Sequence, residues 1–232
     1  CEAAIRQSTR VRSMIKDRLD APGELRVCAF GGGPGTELLA LAKHIIKSGR
    51  VGPPAMIEFT LIERVKEWCE TWNALESEIK KQMRSKFSHS TKWPFMISKT
   101  FLSCDMLKLE DYANMSQVLT HDLYIMNYVV SEVIASTTAF QSVVNRMAKA
   151  APKGSLFLVI DRDQDTIRRD ANDYLQTAGL KVGACVASST NMDGDEQISD
   201  LDPYSANIGR KPRVQWGTTG KQGAFWVVGE KM

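Results

Sequence analysis

The sequence predicts an α/β fold: a doubly wound, mostly parallel sheet of seven strands with helices on both faces. Three observations predict it. Short apolar runs alternate with segments of helical periodicity from Leu25 to Gly179. The first of these runs opens directly into a turn made almost wholly of glycine, and the turn opens into a helix pattern. The last two runs, 180–187 and 223–228, have no helix pattern between them and read as a closing hairpin. At 232 residues the chain is long enough for one such domain with a full core, and too short for two comfortable ones.

The first strand is Leu25 to Phe30, apolar apart from Arg26. Gly31, Gly32, Gly33, Pro34 and Gly35 then form a turn too rich in glycine for helix or strand. From Thr36, the residues Leu38, Leu39, Leu41, Ala42, Ile45 and Ile46 recur at helical spacing. Glycines let a backbone approach a ligand closely, and a helix start presents unpaired N–H groups, so this arrangement suits a nucleotide-like molecule. The dinucleotide fingerprint needs a third glycine at position 36 or 38, where Thr36 and Leu38 stand, which disfavours an NAD-dependent oxidoreductase. A triphosphate-binding loop would end in Gly-Lys-Ser/Thr. Here Gly35 is followed by Thr36 and Glu37, and the carboxylate would repel phosphate.

What remains, Gly31-x-Gly33-x-Gly35, resembles the first motif of class I S-adenosylmethionine-dependent methyltransferases. The order of strands and helices extends the resemblance over about residues 25 to 230. It implies a Rossmann-like methyltransferase domain over 25–232, an N-terminal helix within 1–24 covering the cofactor cleft, and S-adenosyl-L-methionine as cofactor. Phe30, Gly31, Gly32, Gly33 and Gly35 would surround that cofactor. Many members carry an acidic residue two positions before the first glycine. Ala29 stands there in this chain, and Glu37, just after the loop, is expected to take over part of that role.

The remaining elements follow in order. Ala3 to Leu19 reads as one helix with a basic outer face, favoured as a solvated face over a nucleic-acid contact. Ile57 to Glu63 is the second strand. Its terminal Glu63, with Arg64 beside it, sits where this kind of sheet places a carboxylate on the ribose hydroxyls. Lys66 to Met83 is a long helix. It runs into a stretch, 80–93, that holds Lys80, Lys81, Arg84, Lys86 and Lys92 with Phe87 and Trp93. Cations interleaved with aromatics suit RNA, and cations at a helix end equally suit the helix dipole. Both readings stand. Phe95 to Cys104 is the third strand. By the resemblance, Asp105 bonds the adenine amino group and Met106 packs on the adenine face, while helix capping is the alternative for Asp105. Asp122 to Asn127 is the fourth strand, followed by a helix to Ala150. By the resemblance, Asn127, Tyr128, Ser131 and Glu132 lie nearest the methyl group. Asn127, Tyr128 and Glu132 are the catalytic candidates, with Asn127 and Tyr128 also touching cofactor. Leu156 to Ile160 is the fifth strand, and Thr166 to Ala178 a helix. The long segment 188–222, with acidic and basic runs, is expected to recognise substrate or to be mobile.

Composition narrows the partners. Apolar residues make up 43% and charged residues 25%, ordinary for a globular protein, and a net charge of +3 leaves nucleic-acid affinity to local patches. No apolar run is long enough for a membrane span. The five scattered cysteines read as free thiols in a reducing compartment, so an intracellular site, cytoplasmic or nuclear, is expected. The three histidines share no ligand spacing with them, and no metal is assigned. Opening on Cys1 rather than Met is expected of a piece of a longer protein. The acceptor is expected to be macromolecular, with RNA ahead of protein. A non-catalytic methyltransferase-like binding module is the alternative outside enzymes.

Overall fold

The computed structural model describes residues 1–20, 23–48, 55–86, 95–113, 119–188 and 223–232. Its centre is the strand Glu24–Phe30 (β1), which pairs in parallel with Ala55–Ile62 (β2) on one side and Leu123–Asn127 (β4) on the other. Phe95–Leu102 (β3) extends the sheet beyond β2, and Leu156–Arg162 (β5) beyond β4, both in parallel. Ala224–Glu230 (β8) runs antiparallel to β5. With the short strands Lys181–Val182 (β6) and Val186–Ser188 (β7), the strand order is β3-β2-β1-β4-β5-β8-β6, and β7 also lies on β8. Order therefore reverses between β1 and β4, and a doubly wound sheet opens its ligand crevice at that point, beyond the carboxyl ends of the strands.

Residue alternation explains why both faces are covered. Leu25, Val27 and Ala29 of β1 join one core, together with Leu123, Ile125, Leu156 and Leu158. Cys28, Phe30, Tyr124, Met126, Phe157 and Val159 join the other. A strand buried on both sides must be apolar throughout, which is why these strands read as continuous runs. The first core is covered by helices Glu2–Gln7 (α1), Thr9–Asp20 (α2), Thr36–Lys47 (α3) and Trp68–Lys86 (α4). The second is covered by Val130–Val133 (α5), Thr137–Ala150 (α6) and Asp165–Thr177 (α7).

Three elements differ from the sequence expectation. The single helix expected over 3–19 is two, because Ser8 leaves helical geometry and its Oγ accepts the Val11 N–H (3.3 Å), capping α2. The helix expected to follow Tyr128–Val133 and run to Ala150 begins only at Thr137, after a short helix Val130–Val133 and a 3₁₀ turn at Ile134–Ser136, where Ser136, Thr137 and Thr138 bring hydroxyls and β-branching that compete with the helical pattern. The sixth strand is split into Lys181–Val182 (β6) and Val186–Ser188 (β7), both antiparallel to β8. Gly183 marks the break, and its N–H still reaches the Val228 carbonyl (2.9 Å).

A buried histidine ties the amino end of β4 to β2. His121 is 4% exposed, and its Nε2 lies 2.9 Å from Thr60 Oγ1. Burial pushes the imidazole down to about 4. A folded-state value below the unfolded one means that the stability is complete above about pH 6.5 and is lost as pH falls toward about 4. The loss should be on the order of 2 kcal/mol. Urea unfolding of wild type and His121→Gln at pH 7.5 and pH 4.5 measures it. Equal pH sensitivity in the two proteins would dismiss the histidine as its source.

Candidate functional site

The glycine turn lies at the carboxyl end of β1, beside the point of strand reversal. Gly31, Gly33 and Gly35 have φ of +56°, +46° and +83°, a region that side chains disfavour. Close packing adds to the demand at three positions. A Cβ on Gly31 would lie 2.6 Å from Met106 Cε, on Gly32 2.4 Å from Leu61 Cδ1, and on Gly35 2.1 Å from Trp72 Cδ1. Gly33 differs, since its nearest neighbour would be the half-exposed Trp68 at 3.9 Å. Gly33 is thus the place where the turn is open to a ligand.

Glu63 follows β2 and is buried, at 8% exposure. Its Oε2 accepts the Gly33 N–H (3.2 Å) and its Oε1 the Val65 N–H (3.0 Å). A carboxylate has about four acceptor positions, so roughly two remain for a ligand. The residue expected to meet a ribose also ties the glycine turn to β2, a link the sequence reading missed. Neighbouring Arg64 is exposed.

Glu37 is the second residue of α3 and is 2% exposed. Its Oε1 accepts from Asn127 Nδ2 (2.8 Å) and from Thr36 Oγ1 (3.3 Å). This joins the residue after the turn to the last residue of β4, across the strand reversal. Glu37 Oε2 and Asn127 Oδ1 are both shut from solvent without a hydrogen-bond partner. Burial pushes the Glu37 carboxyl above the usual carboxylate range, against the opposing pull of Asn127.

The next residue, Tyr128, has φ +62°, unusual outside glycine. Its N–H is held by the Ile160 carbonyl (2.8 Å), and the carbonyl of Tyr128 accepts from Ser131 Oγ (3.4 Å). Fully buried Asp161 accepts the Ser131 N–H (2.9 Å) and the Arg162 N–H (2.7 Å). Asp161 thus supports the turn after β4. It was not among the expected site residues, although a carboxylate closing the apolar run 156–160 was a readable signal. Burial raises the Tyr128 hydroxyl above its ordinary value, so it stays protonated at neutral pH. Glu132 is exposed.

Three expected residues have other ties. Phe30 lies in the second core, stacked on Tyr124 at 6.3 Å, which leaves only its backbone at the turn. Asp105 Oδ1 accepts the Leu107 N–H (2.9 Å) within a turn, and the helix cap foreseen as its alternative is not formed, since the next helical turn starts at Leu109 after Lys108. Met106 lies over Gly31. In the basic stretch, Lys80 pairs with Glu76 and Lys81 with Glu78 (3.6 Å). Residues 87–93, with Phe87, Lys92 and Trp93, lie outside the described residues, as do 189–222.

These residues fit an adenosyl-methionine ligand. Gly33 offers an open approach, Glu63 keeps spare acceptor positions, and Glu37 and Asn127 hold orphaned acceptors beside the same crevice. The solved structures with this fold include a SAM-dependent methyltransferase from Methanosarcina mazei. It is 10% identical, with a TM-score of 0.52 over 94% of this chain and 97% of that one. They also include the [4+2]-cyclase SpnF, 12% identical, with a TM-score of 0.52 over 96% and 80%. At such identities the likeness concerns fold. None of the curated proteins matches the chain. The family evidence is the match of residues 3–166, more than half of the chain, to the family model described as "Putative SAM-dependent methyltransferase". The chain belongs to this family of SAM-dependent methyltransferases.

Proposed function

We propose that this methyltransferase holds S-adenosyl-L-methionine across the crevice between β1 and β4 and methylates a macromolecular acceptor, RNA ahead of protein. The observation that carries the cofactor placement is the bond from Gly33 to Glu63, which sets a ribose-binding carboxylate against the open glycine of the turn. When bound, the cofactor supplies a methyl group on a positively charged sulfur. Gly33 lets the backbone approach it, and Glu63 accepts from the ribose hydroxyls. Asp105 and Met106 take the adenine, Asp105 with the oxygen not engaged by Leu107. Tyr128, protonated, donates to the acceptor and orients it, and exposed Glu132 is the nearby proton acceptor. Methyl transfer needs chiefly alignment and exclusion of water, so positioning is the main task of these residues. Within segment 1–24, α1 covers the cleft, a reading supported by its packing on α3; α2 runs instead to the amino end of β4, where Arg18 meets Asp122 (2.9 Å). Among the described residues no helix is long and apolar enough to cross a membrane. The buried free thiol Cys28 supports placing the protein in the cytoplasm or nucleus.

Calorimetry with S-adenosylmethionine, S-adenosylhomocysteine and NAD tests the placement. The first two should bind and NAD should not. Glu63→Ala should lose about 1.5–3 kcal/mol of cofactor affinity, the scale for hydrogen bonds to a charged group. Asp105→Ala should lose the same or less. If both variants bound normally, Glu63 would serve only to tie the glycine turn and Asp105 only to hold its own turn.

For the acceptor, the basic stretch 80–93 supports RNA, and the Glu76 and Glu78 pairs reduce its net charge. Each phosphate contact releases counterions, so RNA affinity should fall with salt by about 0.7 log units per contact per log unit of salt. Replacing Lys80, Lys81 and Arg84 by Gln should flatten that slope. Binding indifferent to salt and to these changes would put protein or small molecules ahead.

A further inference from the structure

We propose that the outer edge of β3 is a pairing surface for a second copy of this chain, joining two sheets in antiparallel fashion about a two-fold axis at Ser98. The pairing needs nothing from the cofactor site. The sheet ends on β3 at one side and on the short β6 and β7 at the other. Proteins keep sheet edges from pairing with very short strands, bulges, prolines or outward-pointing charges. β3 has none of these. Its eight residues keep unbroken register with β2 and include no proline. Its one charged residue, Lys99, is turned toward α4, with Nζ 2.5 Å from Glu76 Oε2 and the side chain 20% exposed.

The ladder with β2 fixes which backbone groups this edge offers. The Glu63 N–H donates to the Leu102 carbonyl (3.0 Å). In a parallel pair, alternate residues turn both N–H and C=O toward the same neighbour, so Met96, Ser98, Thr100 and Leu102 face β2. Phe95, Ile97, Lys99 and Phe101 turn theirs outward, where no described residue bonds them. The strand is close to symmetric about Ser98. With the axis there, Phe95 meets the partner's Phe101 and Ile97 the partner's Lys99, all as hydrogen-bonded pairs. Every outward residue of both copies is then used, for about eight bonds. An axis at Lys99 would oppose two cations, and one at Ile97 would carry Phe101 past the end of the partner strand. Pairing would also cover Ile97 and Phe101, which the first core leaves partly open. Met96 is 48% exposed, and Ser98 and Thr100 are exposed, so the approach is clear on that face. One strand edge makes a small interface, which implies a weak dimer.

Sedimentation velocity of the whole chain under reducing conditions tests this. The dimer fraction should rise over about 1–100 µM, the range of a small interface. Ser98→Lys should raise the midpoint about tenfold or more, because the axis would oppose two cations in a non-hydrogen-bonded pair, with Cα atoms about 4.5 Å apart. The same spacing lets two thiols bond. With oxidised glutathione, Ser98→Cys should cross-link two chains above the level that the native thiols give. Thr100→Cys, equally exposed but off the axis, should stay at that level. Monomers at every concentration would overturn the second copy and leave the edge to a strand of another protein. A dimer indifferent to Ser98→Lys, or equal cross-linking at 98 and 100, would place the contact elsewhere and overturn the axis. If Ser98→Lys does not fold, the two cysteine variants decide.

Discussion

Gly35→Ala is expected to destabilise the protein by about 2–5 kcal/mol, combining left-handed strain with overpacking. Gly35 caps α3 at φ +83°, and a Cβ there would fall 2.1 Å from Trp72 Cδ1 and 2.4 Å from Nε1. Trp72 has little room to retreat. It is 1% exposed, lies between Phe59 and Phe101 at centroid distances of 5.9 and 6.4 Å, and carries Lys99 Nζ 5.4 Å over its ring. For a chain of this size the melting temperature should drop by roughly 5–15 °C. A melt within two degrees of wild type would show that Trp72 moves aside and that the glycine serves only backbone geometry.

Gly33→Val should have the opposite profile, folding nearly intact and binding gone. The position faces open space, with Trp68 no closer than 3.9 Å to an added Cβ, so steric damage to the fold is small. Its φ of +46° adds strain of about 1–2 kcal/mol. The branched side chain would occupy the one open approach to the turn and disturb the N–H that Glu63 accepts. Loss of cofactor affinity should exceed a hundredfold, or about 2.7 kcal/mol. Calorimetry and a thermal melt on the same preparation separate the two effects. Normal binding would move the site away from Gly33, and a collapsed melt would make its role structural like that of Gly35.

The contrast between two glycines of one motif shows what local pattern can reveal. Continuous apolar runs and helical spacing depend on neighbours within a few residues, so the strand–turn–helix unit at 25–46 and the parallel sheet were readable from the chain. Glu63 was readable too, because strand order places the end of β2 beside the turn. The splits at Ser8, at 134–136 and at Gly183 were less so. There a hydroxyl or a glycine offers the backbone an alternative whose outcome depends on surrounding packing. The sequence by itself determined the architecture, the family motif and the position of the ligand crevice, all consequences of short-range pattern. Only the tertiary structure decided which glycine stays open, that Phe30 turns into the core, and that Asp161 braces the turn after β4. It alone joined Glu37 to Asn127, 90 residues away. Those outcomes depend on contacts between distant segments, which exist only once burial has brought the two cores together around the sheet.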